Sequence, residues 1–413
     1  MVIGAGAAGL MAAIFAAEGP APVQVLESTT DGGRKILISG GGRCNILPAA
    51  LHPERFVTDS PAHVLRGMLR AWPVNEQRRY FEDTVGLPLA LETSTGKWFP
   101  ASSRARDVRD GLVALARRRG VTFRFESAVT SVVPAGEGWT VEARGGALRA
   151  SRVVLATGGL SVPTTGSDGA GLRMAATLGH RLHATYPALT PLTSSSPPPL
   201  AGVSLPVRIR ARGREWAAEA TGGFLFTHRG YSGPAVLDVS HVCVRATLDD
   251  DAGGAPREGD GAWPATVRVS WSPATSATDW DARLRAGDRL VSSVVSAELP
   301  ERLALFLVDA AGVPRDRRTS SLRRAERTAL VEALTSFALP WAGHEGYRKA
   351  EVTGGGVALD EVDPRTLESR RHPGLHLCGE VLDAFGPIGG YNFAWAWATG
   401  RAAGRAAGRL TPG

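Results

Sequence analysis

Glycines at positions 4, 6 and 9 open this 413-residue chain as G-x-G-x-x-G, and an acid, Glu27, stands 18 residues after the last of them. Such a set can hold a nucleotide. The first glycine permits a tight turn, the second lets the backbone meet a pyrophosphate, the third allows a helix to pack closely on a strand, and the acid receives ribose hydroxyls. A second run, Ile36 to Asn45 (ILISGGGRCN), leaves the N–H groups of Gly40 to Gly42 bare for an anion or a flat ring. It adds a guanidinium, a thiol and an amide at Arg43, Cys44 and Asn45. A third, Gly386 to Asn392 (GPIGGYN), follows the strand-like Leu375 to Glu380.

Glycine-rich sites at the two ends of the chain, each behind a strand, suit a cofactor that itself has two ends. An FAD would lay its adenosine and pyrophosphate on Gly4 to Gly9 and Glu27, and its flavin over the second site. There the helix after Gly390 directs its positive N-terminus at the pyrimidine edge. Glu380 and Asp383 are placed to bond ribityl hydroxyls. Rival chemistries fail on spacing. In Gly230-Tyr231-Ser232-Gly233-Pro234 the second glycine comes one place too early for a hydrolase elbow. Gly96-Lys97 is followed by Trp98 and lacks the first glycine of a phosphate loop. Pro373 and Gly374 break any helix that would pair His372 with His376, no H-E-x-x-H occurs, and no metal site is expected. No further G-x-G-x-x-G follows a strand, so no separate NAD(P)H domain is visible.

The elements that must position these residues alternate in type. Met1 to Ala17 reads as strand, turn and helix, closed by Gly19 and Pro20, and Val23 to Leu26 as a second strand. The first strand would hold only Met1 to Ile3, whereas a central parallel strand runs about five or six residues; the natural start is expected a few codons upstream. Residues 60 to 85 read as helical, Leu89 to Ser102 as a hairpin turning over Ser94 to Gly96, and Ser103 to Arg119 as a helix. A strand pair follows, Val121 to Val133 with Trp139 to Arg144. Val153 to Leu155 enters the turn Ala156 to Gly159, and Gly166 to Gly171 opens a helix with Asp168 at its positive end.

From Tyr186 a Pro/Ser linker leads into β-like runs, Val207 to Ala211, Phe224 to Thr227, Val242 to Leu248 and Ala265 to Trp271, with Pro234 starting a helix. Asp249 to Gly261 reads as a solvated loop. Residues 278 to 340 are helical in period, Ser320 to Leu339 included. The expected architecture is α/β: a Rossmann-like FAD-binding domain of the two-dinucleotide-binding-domain flavoprotein type, discontinuous over 1–185 and 346–413. It is interrupted by a β-barrel-like insert over 186–275 and a helical insert over 276–345.

Composition narrows the partners. At 43% hydrophobic and 21% charged residues, the chain reads as globular, and no apolar run reaches the roughly 20 residues of a membrane span. The apolar stretch Ala7 to Ala17 has no basic residue before it and is no signal peptide. Cys44, Cys243 and Cys378 are far apart and fit a reducing cytoplasm. The net charge is +7 and the pI near 9.8, yet only Lys35, Lys97 and Lys349 among the 47 basic residues are lysines. That bias reads as genome composition ahead of a dedicated RNA surface. No pattern specifies an oligomeric state.

GAGAAG, SGGGRCN, GKWFPAS, ATGG with GSDGAG, GFLFTHRGYSGPAVLDVS, VTGGGV and LCGEVLDAFGPIGGYNFAWAWATG occur in this order. Together they resemble the BaiN/YhiN-type flavoproteins, NAD(P)/FAD-dependent oxidoreductases. Leu47-Pro48 stand where the family pattern has a Thr-Asn pair, which marks a divergent branch. The resemblance implies reduction of a carbon–carbon double bond conjugated to a carbonyl, in a steroid-like small molecule or in a uridine of ribosomal RNA. It also implies FAD contacts at Gly4, Gly6, Ala8, Gly9, Glu27, Arg34, Gly41, Arg43, Cys44, Thr157, Gly158, Gly379, Glu380, Gly390 and Asn392, with NAD(P)H as a transient donor.

Such a reduction needs an acid for the α-carbon and donors that polarise the carbonyl. His228 lies in a family-specific motif, and an insert strand would carry it over the flavin; a histidine bonding a turn is the plainer reading. Cys44 and Tyr391 are further candidates beside their roles as packing residues. The leading expectation is an FAD-dependent, NAD(P)H-driven enone reductase acting on a small molecule. An rRNA uridine reductase (dihydrouridine synthase) and a non-catalytic flavin-binding redox sensor are the alternatives.

Overall fold

In the computed structural model, which describes residues 1–250 and 265–409, the chain forms two compact units, Met1–Pro187 with Glu351–Gly413, and Ala188–Ala350. Strands of two or three residues build the sheet at the centre of the first. Its parallel strands run in the order Leu375–Leu377, Val153–Leu155, Val2–Ile3, Gln24–Leu26 and Thr122–Arg124. Strands covered on both faces are apolar without alternation, and Val2, Ile3 and Val153 to Leu155 are buried. Val2 stands in register with both Val25 and Val154, so the chain's first strand is the middle of the sheet.

The helix Tyr391–Gly408 packs along the helix Ala7–Ala16 at a separation set by small residues. A Cβ on Gly400 would stand 2.4 Å from the Ala8 carbonyl oxygen, one on Gly404 2.2 Å from that of Ala12, and one on Gly408 2.5 Å from that of Ala16. Glycines four apart on one helix thus face alanines four apart on the other, and the two rows of backbone touch.

Around this core the sequence expectations hold in outline and shift in detail. The hairpin pairs Leu89–Glu92 with Lys97–Pro100, and Leu47–Pro48 extends it on the Lys97–Pro100 side. Val121 to Val133, read as one arm, divides. Thr122–Arg124 joins the parallel sheet, while Val129–Ala135 pairs with Gly138–Ala143 in a separate antiparallel sheet.

In the second unit, seven antiparallel strands run in the order Phe337–Ala338, Thr266–Ser270, Ser204–Arg212, Ala217–Thr227, Gly230–Ser232, Leu192–Thr193 and Gly343–His344. Phe224, Phe226 and Trp271 of this sheet share one apolar cluster with Trp280, Leu303 and Leu330 of the helical stretch. The β-rich and helical segments therefore have a common core.

Val242 to Leu248, read as a strand, belongs to the helix Pro234–Asp250. The β-branched residues there are misleading, because Val236, Val239, Val242, Cys243 and Ala246 are buried at helical spacing. Ser320 to Leu339 contains a shorter helix, Arg324–Thr335, followed by the edge strand Phe337–Ala338. The loop expected over Asp249 to Gly261 lies, from residue 251 on, outside the described residues.

His241 is buried in the helix Pro234–Asp250, and burial, with Arg245 adding its charge, lowers its pKa from 6.5 to about 4. A histidine held neutral by the fold stabilises it above its unfolded pKa, and that contribution is lost as pH falls from 6.5 toward 4. Acidification across this window should cost about 3 kcal/mol at His241. His241→Leu should flatten the corresponding part of the stability–pH curve in denaturant titrations. In the first unit, Gly404→Val should destabilise by about 1–3 kcal/mol through overpacking against Ala12, read as a lowered melting temperature.

Candidate cofactor-binding site

A cavity of about 510 Å³ lies where four parallel strands end, lined by Gly4, Glu27, Thr157 and Gly379, each just past the last residue of its strand. This is where open α/β sheets bind ligands, and the volume lies within the roughly 300–1,000 Å³ of small-molecule sites. Gly389 and Gly390 complete the wall, so residues from the first thirty and the last forty share one pocket.

The three opening glycines differ in what demands them. Gly4 has φ +98°, and a Cβ there would stand 2.5 Å from the Ala156 carbonyl oxygen; on Gly9 it would stand 1.9 Å from that of Gly4. Protein neighbours therefore require both. A Cβ on Gly6 meets nothing within 4 Å, yet Gly6 lines the cavity at the N-terminus of the helix Ala7–Ala16. That open cradle fits a pyrophosphate, which takes the helix dipole and bare N–H groups there.

Next to the cradle, Glu27 is buried. Its Oε2 accepts from the Ala5 N–H at 2.7 Å, and its Oε1 accepts from Thr29 N–H at 2.9 Å and Thr29 Oγ1 at 2.8 Å. Arg34 donates to Asp31 at 2.7 Å, and this bond, ahead of Arg109, keeps the Asp31 carboxyl below its usual range.

The SGGG loop wraps the opposite wall. Gly40, Gly41 and Gly42 all have positive φ, and Cys44 follows at +59°. Arg43 lies over the Phe99 ring at 4.2 Å and pairs with Glu92 at 3.1 Å. Bonds from Thr95 and then Arg43 hold the half-buried Glu92 carboxyl low. Asn45 lines the cavity and is buried, and its Oδ1 has no hydrogen-bond partner. A buried acceptor left open costs stability unless a ligand fills it. With the Gly6 cradle, it is a second feature that fits a bound dinucleotide.

Of the residues singled out from sequence, Gly4, Gly6, Ala8, Glu27, Arg34, Gly41, Arg43, Thr157, Gly158, Gly379, Glu380, Gly390 and Asn392 line this cavity. Gly9 stands behind it as a packing glycine. Asn392 acts on the loop before it: its Oδ1 accepts from Gly386 N–H at 2.8 Å and its Nδ2 donates to the Gly386 carbonyl at 2.9 Å.

Asp383, expected at the ribityl chain, is not part of the wall. Its Oδ2 accepts from the N–H groups of Asp59 and Ser60 and from the hydroxyls of Thr58 and Ser60, all at 2.8–2.9 Å. Burial pushes its carboxyl up, and these donors oppose that. Cys44 is fully buried outside the lining, and burial pushes its thiol up to about 12, which keeps it a protonated packing group. Tyr391 is buried too, its hydroxyl accepting from Arg55 at 3.3 Å. His228 belongs to the second unit, exposed at the turn between Ala217–Thr227 and Gly230–Ser232.

Sequence reasoning missed the polar network on the wall. Lys35 Nζ donates to Glu380 Oε2 and to Ser161 Oγ, both at 2.6 Å. Glu380 Oε1 accepts from Ser161 Oγ at 2.7 Å and from Thr353 N–H at 3.0 Å. Lys97 also lines the cavity. A signal was present: in a chain with three lysines among 47 basic residues, two of the three stand here.

The HI0933-like protein Rossmann domain family matches residues 1–406. The chain belongs to this family. It is an FAD-dependent oxidoreductase of the BaiN/YhiN type. It is 33% identical to the ribosomal RNA dihydrouridine synthase of Escherichia coli, covering 97% of this chain and 95% of the relative. To the 3-dehydro-bile acid delta(4,6)-reductase of Clostridium scindens it is 32% identical, covering 97% of each. A solved 3-ketosteroid delta1-dehydrogenase from Sterolibacterium denitrificans shares the fold, with a TM-score of 0.51 over 98% of each chain at 13% identity.

Because nothing in the protein fills the space at Gly6, Gly6→Ala should leave the melting temperature of the flavin-free protein unchanged and weaken FAD binding at least tenfold. Thermal melting and fluorescence titration read the two effects separately.

Proposed function

We propose that this HI0933-like flavoprotein reduces a carbon–carbon double bond conjugated to a carbonyl in a small molecule, with NAD(P)H as electron donor. The observation that carries the reading is the single cavity shared by Gly4 to Glu27 and Gly379 to Asn392, which suits a cofactor with a nucleotide end and a ring end. Bound FAD supplies the two-electron reductant. Glu27 would take the ribose hydroxyls of the adenosine, Gly6 and the N-terminus of Ala7–Ala16 the pyrophosphate, and Glu380 the ribityl chain. Lys35 holds Glu380 in place at 2.6 Å. The named activity of the bile-acid relative supports a small-molecule enone.

Of the three candidate acids, Cys44 and Tyr391 are buried outside the cavity wall, whereas His228 is exposed. None of the three lines the cavity. Free, buried cysteines support a reducing, cytoplasmic setting, and no helix among the described residues is long and apolar enough to cross a membrane.

A second reading keeps the chemistry and changes the carrier: the 5,6 double bond of uridine is also conjugated to a carbonyl. The relative named for ribosomal RNA favours it, as does an arginine row on the second unit. Arg210 and Arg212 are exposed on Ser204–Arg212, and Arg210 is in register with the exposed Arg268 of the neighbouring strand.

Purified protein should carry flavin that NADH or NADPH bleaches without oxygen and that a steroid-like enone reoxidises. Protein that is colourless and cannot be reconstituted with FAD would overturn both readings. Reoxidation by a uridine-bearing ribosomal RNA fragment, and not by enones, would select the second.

A further inference from the structure

Asn45 and Lys97 both line the cavity, Lys97 in register with Pro48 three residues after Asn45. Leu47, two residues after Asn45, runs beside the turn before the last helix: a Cβ on Gly390 would lie 2.5 Å from the Leu47 carbonyl carbon. Leu47 also pairs with Trp98 across the strands, which brings Lys97 alongside. The Lys97 Cε is 3.6 Å from where a Cβ on Gly389 would be. One end of the pocket therefore holds a side-chain amide, an ammonium and the N-terminus of the 18-residue helix Tyr391–Gly408.

Two of these groups are conspicuous for what they lack. Asn45 is 9% exposed, and its Oδ1 has no partner. The Lys97 ammonium forms no hydrogen bond or ion pair among the described residues, in contrast to that of Lys35, which is committed to Glu380 and Ser161. A buried acceptor without a donor and an ammonium bonded to nothing both suit the same ligand edge, although Glu92 across the strand pair feels the Lys97 charge. That edge is flat, offers an N–H flanked by carbonyl oxygens, and gains negative charge in the working state. The imide edge of an isoalloxazine ring has this character, and the adenosine end, fixed by Glu27 and Gly6, leaves it the far end of the cavity.

We infer that Asn45 and Lys97 clamp the pyrimidine edge of the flavin, Asn45 Oδ1 accepting from the ring N3–H and the Lys97 ammonium facing the adjacent carbonyl oxygen. The inference rests on the FAD reading above. The two residues divide the work. Asn45 contributes binding and orientation in both oxidation states, because its partner is an N–H in each. Lys97 acts on potential: its charge, added to the helix N-terminus, favours the reduced ring, which is the more negative. Neither touches the pyrophosphate or adenosine sites, so their effects separate from those of Gly6 and Glu27.

The test uses the full-length chain stripped of flavin, titrated with FAD and, separately, with ADP, which occupies the adenosine end alone. Asn45→Leu, which keeps the branching and heavy-atom count of asparagine and removes the acceptor, should weaken FAD at least tenfold and leave ADP unchanged. Lys97→Met, reloaded with FAD and equilibrated with reference dyes, should shift the oxidised-to-reduced ratio at least tenfold toward oxidised, about 30 mV for a two-electron couple. Asn45→Asp keeps the acceptor and adds a negative charge, so it should also lower the potential; it serves if the leucine variant does not fold.

FAD binding by Asn45→Leu equal to that of the unaltered chain would overturn the clamp, as would an equal loss of ADP. Potentials unchanged in both Lys97→Met and Asn45→Asp would overturn it as well. Failure of the unaltered chain to bind FAD while binding ADP would remove the cofactor reading itself, an outcome distinct from all of these.

Discussion

The contact between the glycine row of the last helix and the alanine row of the first is the constraint on which the site depends. Backbone meets backbone at Ala8, Ala12 and Ala16, so the tail of the chain is held at one distance and in one register against the head. Register matters because the last helix carries the site with it. Trp395 donates to the Gly379 carbonyl at 3.1 Å and Thr399 Oγ1 accepts from the Gly379 N–H at 3.0 Å, which ties the turn after the strand Leu375–Leu377 to the helix. Gly390, in the left-handed region, then directs the helix N-terminus to the cavity. A side chain larger than hydrogen on this row would displace all of these groups together.

The electrostatics of the cavity follow a pattern of acids already satisfied and donors left over. Glu27 is bonded by main-chain and side-chain donors near its own turn, Glu380 by Lys35, Ser161 and Thr353, and Asp31 by Arg34 and Arg109. The N-terminus of Ala7–Ala16, the Gly-rich loop, Arg43 and Lys97 face the same space. A site with its carboxylates neutralised and its N–H groups free is prepared for an anionic, ring-bearing ligand. The same arrangement explains why the wall tolerates an ion pair as close as Lys35 with Glu380: both partners are hydrogen-bonded further, so neither charge is left alone at low solvent exposure.

Part of this was legible from local spacing. Gly9 and Glu27 are set by contacts within a strand-turn-helix-strand unit, with Gly4 and with Ala5 and Thr29, and each lies where its spacing places it because few other residues take part. Most of the parallel strands were readable too, since a short apolar run between turns has few other uses, whereas Thr122–Arg124 merged in the reading with the strand after it. The helix Pro234–Asp250 was harder. Its valines favour a strand locally, and only a sheet to cover on one side makes their helical spacing decisive.

What the amino-acid order determined by itself was the nucleotide-binding start, the class of fold and the presence of a glycine-rich partner at the far end, because these depend on short-range turn geometry and on which residues avoid water. What only the tertiary structure decided was how distant side chains were spent. Asp383 reads as a cofactor ligand until Thr58, Asp59 and Ser60 are seen to take its carboxylate, and Lys35 has no assigned partner until Glu380 is found beside it. The reason is physical: a polar side chain satisfies whichever partner the fold brings within about 3 Å, and contacts between residues hundreds of positions apart leave no trace in local spacing.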